Sequence, residues 1–277
     1  MHYFEIIIKA NSELAEILTA ELAEIGYNYF SDEDNQLKAY TETAEIDFQE
    51  LNEVVEKYQF MGAELVSTQK IEKVNWNLEW EKSFDPVIVD NKCIIRATFH
   101  QAQPQYEYEI VIDPKMSFGT GHHATTALMI EHQMQINHQA KKVMDVGSGT
   151  AVLAIMAEKL GATEILAFDI EDWAVENAIE NAEKNNCKHI SVKQGTIKEV
   201  NPQGNYDIVL ANINRNVLLN EIPTYQKQLN PEGYLVVSGF YLTDADDIKA
   251  MANSVNLEVI SLKSNNNWTS IIFKNTK

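Results

Sequence analysis

"HYFEIIIKA" (2–10) is a short apolar run interrupted by Glu5 and Lys9, and it reads as a strand. In "SELAEILTAELAEIG" (12–26) the apolar positions recur every three or four residues, which predicts an amphipathic helix. Ser12 is its candidate cap and Gly26 its candidate stop. "YNYF" and "QLKAYTE" read as two strands joined across the turn-like "SDEDN". "DFQELNEVVEKYQF" is a second helix with Asp47 as its cap, and "AELVSTQKIEKV" a fourth strand. The order β-α-β-β-α-β is that of a split βαβ unit, and it predicts an α+β ferredoxin-like domain over residues 1–65.

The pattern loosens over residues 66–110, which read as a linker with connector strands. "NWNLEWEKSFDPVIVDNKCIIRATF" places Trp76, Trp80 and Phe84 at four-residue spacing, as packing residues, and then a short hairpin around Asp90-Asn91-Lys92. "YEYEIVID" is one more strand. Over 111–277 the rhythm changes again. Apolar strands at 142–146, 164–168, 190–193, 206–210 and 233–240 are separated by helical patterns. Such alternation predicts a doubly wound α/β domain with a parallel sheet. "LEVISLK" and "WTSIIFK" add two strands without a long helix between them, so the last of the seven runs antiparallel.

Charge changes the picture of partners. The 277 residues hold 41 acidic and 22 basic side chains, a formal −19. Residues 1–65 alone hold 15 acids and 3 bases, a net −12. That field repels nucleic acid and anionic membrane and attracts basic partners; solvated helix faces would look the same. No apolar run approaches the ~18 residues of a membrane span. The start lacks a secretory pattern, and the two cysteines, Cys93 and Cys187, suggest neither disulfide framework nor metal site. The expected location is the cytoplasm.

The candidate chemistry begins at "VMDVGSGTAV". Gly147 and Gly149 permit a tight turn between the first strand of the parallel sheet and a helix. A dinucleotide site would read G-x-G-x-x-G, with pyrophosphate on the helix end. Here the last glycine is absent and Asp145 precedes the turn. A carboxylate there disfavours a diphosphate and suits a nucleoside carrying positive charge. The next strand ends in Asp169, placed to accept both hydroxyls of a ribose, or to cap a helix. Asn212 lies just past the carboxyl end of the fourth strand. Its amide oxygen could accept from a substrate amine, or the residue could simply serve a turn.

Together these residues resemble the class I methyltransferases that use S-adenosyl-L-methionine. The likeness sharpens at "DPKMSFGTGHHATTALMIE", which is similar to the D-P-G-M-A-F-G-T-G-T-H-P-T-T segment of enzymes that methylate the eleventh protein of the large ribosomal subunit. "NWNLEWEKSFDPVIV", "LGATEILAFDIEDWAVENAIENAEKN", "ANI" and "LVVSGF" agree with other stretches of that family. The resemblance implies a seven-stranded methyltransferase sheet behind an N-terminal domain that grips a basic ribosomal protein. It also implies S-adenosyl-L-methionine as cofactor, and methyl transfer to lysine amines and the α-amino terminus. Cofactor contacts carry over to Thr126, Gly147, Asp169 and Asn212, joined by Asp145 and Gly149 from the turn itself. Phe118 is expected beside the methyl group and Asn212 beside the acceptor, the two catalytic candidates. The chain departs from the family pattern at Lys115, His122, Ala124 and Ala151, and in "ANINRN".

Attack on a sulfonium methyl needs alignment and a neutral amine, so no metal and no general base are assigned. His122 and His123 could supply a base, or cap the following helix. The rival readings are an RNA methyltransferase, a small-molecule N-methyltransferase and a non-catalytic cofactor-binding module docked on a basic protein. Against the first stand the net charge and Asn212-Ile213-Asn214-Arg215, where base-amine enzymes carry Asn-Pro-Pro-aromatic.

Overall fold

A computed structural model describes residues 2–33, 35–42, 47–72, 84–115 and 117–277. Trp76 and Trp80 lie outside the described residues. The chain divides into two compact units, with the boundary between residues 83 and 84.

The first unit is a four-stranded antiparallel sheet with two helices. Strands β1 (His2–Lys9), β2 (Tyr29–Glu33), β3 (Gln36–Thr41) and β4 (Glu64–Glu72) are ordered β2-β3-β1-β4, with helices α1 (Ser12–Glu24) and α2 (Phe48–Lys57) in the crossovers. That is the ferredoxin-like order expected from the pattern. Ile6, Ile8, Leu37 and Ala39 present the buried face of the sheet, and Leu14, Leu18, Leu22 and Leu51 cover it from the helices. Lys57 and Tyr58 both bond Glu21, at 2.8 and 2.9 Å, tying α2 to α1. Three details differ from the sequence reading. Asn11, not Ser12, caps α1, its side chain accepting from Leu14 N. Strand β2 takes in Ser31, Asp32 and Glu33, which read as turn residues. Strand β4 runs to Glu72, past the boundary drawn at 65, because it pairs with β1 along its length.

The second unit opens with a small sheet of β5 (Val87–Val89), β6 (Cys93–Arg96) and β7 (Tyr108–Val111). Asp90 and Asn91, at φ of 51° and 53°, make the β5–β6 hairpin turn. Asn185 holds β7 through both its amide groups, accepting from Val111 N and donating to Val111 O.

The main sheet has seven strands: β8 (Lys142–Val146), β9 (Glu164–Asp169), β10 (Ile190–Gln194), β11 (Tyr206–Asn212), β12 (Leu229–Tyr241), β13 (Leu257–Asn265) and β14 (Trp268–Asn275). Their order is β10-β9-β8-β11-β12-β14-β13. The first five are parallel and β14 is antiparallel to both its neighbours. Helices α3 (Ala124–Gln133), α4 (Val152–Lys159) and α5 (Asp172–Lys184) pack on one face, through Met129, Ile155 and Ala178. On the other face lie α6 (Ile197–Val200), α7 (Arg215–Gln228) and α8 (Ala245–Asn253), through Ile197, Ile222, Tyr225 and Ile248. The strand order reverses between β8 and β11, and a ligand crevice opens beyond the carboxyl ends of strands at such a point.

Candidate functional site

At the top of β8 the backbone turns through Gly147 and Gly149, both at positive φ. A Cβ on Gly149 would lie 2.2 Å from the carbonyl oxygen of Phe118, so only glycine fits. The same carbonyl accepts from Thr150 N at 2.9 Å, and Thr150 Oγ1 donates to Gly119 O at 2.7 Å. These bonds join the loop around Phe118 to the glycine turn. Ala151 then starts α4 in the left-handed region, at φ 61°. For an L-residue this costs about 1–2 kcal/mol. Its methyl is fully buried, which contributes about 0.8 kcal/mol and offsets part of that cost.

A cleft of about 490 Å³ opens over this turn. Its wall includes Phe118, Gly147, Gly149, Asp169 and Asn212, five of the residues singled out in the sequence. Asp169 closes β9, and its two oxygens accept from Gly149 N at 2.9 Å and Glu171 N at 3.2 Å. The carboxylate therefore braces the glycine turn while facing the cleft.

Asp145 and Thr126 do not line the cleft. Both are fully buried. Asp145 Oδ2 accepts from Ala154 N at 3.1 Å, which ties β8 to the first turn of α4. Its Oδ1 has no partner among the described residues. Burial pushes this carboxyl up to about 7; the Ala154 amide opposes the shift and the Asp169 charge adds to it. Thr126 sits in the first turn of α3 with its hydroxyl unpartnered among the described residues.

A second cleft, of about 250 Å³, shares Phe118, Asn212, Ile213 and Asn214 with the first. His123, Thr125, Gly239 and Trp268 complete it. Its aromatic side is continuous: ring centroids lie 5.2 Å apart for Phe118 and His123, and 4.6 Å for His123 and Trp268. Gly239 allows the chain after β11 to come close, since a Cβ there would meet Ile213 O at 2.2 Å. Asn212 Oδ1 is buried without a donor among the described residues, at the boundary between the two clefts.

The histidines divide. His123 caps α3, its Nδ1 3.3 Å from Thr125 N and 2.7 Å from Thr125 Oγ1. Burial lowers its pKa, which keeps the ring neutral and its Nδ1 an acceptor. His122 Nε2 instead lies 2.9 Å from Asp85 O, and its ring packs against Phe84. Lys115 pairs with Glu180 of α5. Among the described residues, no group of three or more His, Cys, Asp and Glu could hold a metal ion, and no helix is long and apolar enough to cross a membrane.

The model of the family described as "Ribosomal protein L11 methyltransferase (PrmA)" matches residues 2–276. The chain belongs to this family. Relatives named ribosomal protein L11 methyltransferase include one from Bacteroides thetaiotaomicron, 37% identical over 99% of each chain. Another, from Porphyromonas gingivalis, is 36% identical over 93% of this chain and 90% of its own. A solved ribosomal protein L11 methylase from Lactobacillus delbrueckii subsp. bulgaricus shares the fold at a TM-score of 0.65 and 26% identity, covering 70% of this chain and 100% of that one.

Within this L11 methyltransferase family site, the sequence reading missed Thr196, Glu221, Trp173, Gly239 and Trp268. Thr196 follows the end of β10, and the rule that ligands gather at strand ends could have found it. Glu221 and Trp173 lie inside helical patterns and give no such signal. Trp268 and Gly239 meet only because β14 inserts beside β12.

Proposed function

We propose that the chain transfers methyl groups from S-adenosyl-L-methionine to lysine amines and the α-amino terminus of ribosomal protein L11. The observation that carries this reading is the pair of abutting clefts, whose common wall holds Phe118 and the unpartnered Oδ1 of Asn212.

The residues of the larger cleft fit the cofactor. Asp169 offers acceptors to two ribose hydroxyls, and the absence of side chains at Gly147 and Gly149 permits close approach of a ligand to the backbone. When bound there, S-adenosyl-L-methionine supplies a methyl group on a positively charged sulfonium. Asp145 acts from beneath, tying β8 to the first turn of α4 through Ala154 N.

Asn212 Oδ1 accepts an N–H of the incoming amine and so directs its lone pair across the shared wall. Lysine begins near pKa 10.4. The apolar, aromatic second cleft disfavours the ammonium and lowers that value, so the proton leaves to solvent before transfer. His123 Nδ1 is engaged in the cap, and no general base is assigned. The acidic first unit attracts the basic substrate, the enzyme works in the cytoplasm, and it binds no nucleic acid directly.

Incubation of the purified enzyme with methyl-labelled cofactor, ribosomal protein L11 and total RNA, followed by peptide mass spectrometry, tests this. Trimethylated or partly methylated lysines on L11 support it. Label on RNA, or on neither, overturns it.

A further inference from the structure

The larger cleft continues past Asp169 into a slot between the β10–α6 turn and α7. Val146 and Phe168 floor it, and Ile170, Ile197 and Val217 give it apolar walls. Into this slot α7 brings one carboxylate. Asn214, Val217 and Glu221 stand at i, i+3 and i+7 and so share a face of the helix, and all three line the cleft.

Glu221 is held in place. Tyr225, one turn further on, is fully buried, and its hydroxyl donates to Glu221 Oε2 at 2.5 Å. Desolvation, with the charge of Glu221 added, drives the Tyr225 pKa far upward, so the hydroxyl remains a donor. Among the described residues no donor is bonded to Oε1. Of the other polar side chains nearby, Thr196 caps α6, its hydroxyl donating to Glu199 at 2.8 Å, and Asn214 caps α7, its Oδ1 accepting from Val217 N at 3.1 Å.

An apolar lining beside the carboxylate assigned above to the ribose suits a purine. A carboxylate only accepts hydrogen bonds. It therefore favours a purine edge that donates at position 6, an amino group, and repels one that accepts there, a carbonyl. We infer that Glu221, oriented by Tyr225, is the residue that selects a 6-amino purine in the cofactor cleft. The inference rests on the cofactor reading above and adds a base-discriminating residue to it.

The test compares binding of S-adenosylhomocysteine with its 6-oxo counterpart, S-inosylhomocysteine, by calorimetry on full-length parent, Glu221→Gln, Tyr225→Phe and Glu171→Gln. Glu171 serves as the comparison because it is the other glutamate of the cleft wall near Asp169. The parent is expected to prefer the adenosyl ligand by roughly ten- to a hundredfold, the worth of one charge-assisted bond. Glutamine can turn its amide to donate to a 6-oxo group, so Glu221→Gln should lower the ratio at least about tenfold. Tyr225→Phe should lower it part of the way, and Glu171→Gln should match the parent. The ratio is independent of any general loss of stability. A parent that binds the adenosyl ligand while Glu221→Gln keeps its ratio overturns this inference alone, as does a loss of discrimination in Glu171→Gln. A parent that binds neither ligand overturns the cofactor reading and this inference with it.

Discussion

A buried acceptor without a donor costs about 1–3 kcal/mol, and Asn212 holds one at the boundary of the two clefts. An incoming amine relieves that cost only when its hydrogen points at Oδ1. Asn212→Ala should therefore lower kcat by about tenfold or more and change cofactor affinity by less than about threefold. A kcat within twofold of the parent would reduce Asn212 to a turn residue. Asp145 is a carboxyl buried with one oxygen bonded to Ala154 N. Its folded pKa of about 7 lies above the ~3.9 of an unfolded aspartate. Between those values the folded state holds the proton and the unfolded state does not, so this group makes stability fall as pH rises, up to about 7. Asparagine keeps an acceptor for Ala154 N and cannot ionise. The stability of Asp145→Asn relative to the parent should thus improve between pH 5 and pH 8, by roughly 2–3 kcal/mol. Urea melts at the two pH values measure it, and a difference independent of pH would refute the assignment.

At the scale of elements, the glycine turn and the Phe118 loop act as one piece. Gly149→Ala would drive a methyl into the Phe118 carbonyl and place an alanine in the left-handed region. The loop must then retreat and release Thr150 N. A destabilisation of about 2–4 kcal/mol is expected, summing the strain and the lost bonds, together with loss of measurable cofactor binding. Calorimetry on a variant that remains folded would expose the error if affinity survived. The strands and their parallel order were legible because a two-residue or continuous apolar period survives without knowledge of partners, as in β8 and β11. The cap of α1 was misread because Asn11 and Ser12 are both capping types and only geometry chooses between them. The depth of Asp145 was not legible, since a strand-end carboxylate faces ligand or core according to how the next helix packs. The second cleft was invisible for a different reason. His123 and Trp268 are far apart in sequence, and only the insertion of β14 brings the rings to 4.6 Å.

The whole molecule is unevenly charged, with −12 of its −19 in residues 1–65. If this field draws in a basic substrate, screening over a Debye length of ~8 Å at physiological ionic strength should weaken the attraction. Raising salt should then raise KM for L11 severalfold while cofactor Kd stays almost flat. A KM indifferent to salt would leave the carboxylates a solubility role only. Removal of residues 1–83, the whole first unit, should abolish L11 methylation and spare cofactor binding; efficient methylation by the remainder would disprove recognition by that unit. The sheet topology carries a consequence for synthesis. Strand β14, Trp268–Asn275, lies between β12 and β13 although both precede it in the chain. Until residue 275 has emerged from the ribosome, both of those strands present bare hydrogen-bonding edges, and the cores on either face lack Ile271, Ile272 and Phe273. The first unit has no such wait: its four strands are complete by Glu72. In a nascent chain the strands of the acidic first unit are therefore complete while the catalytic sheet still lacks β14, and the edges of β12 and β13 are covered only when that strand arrives.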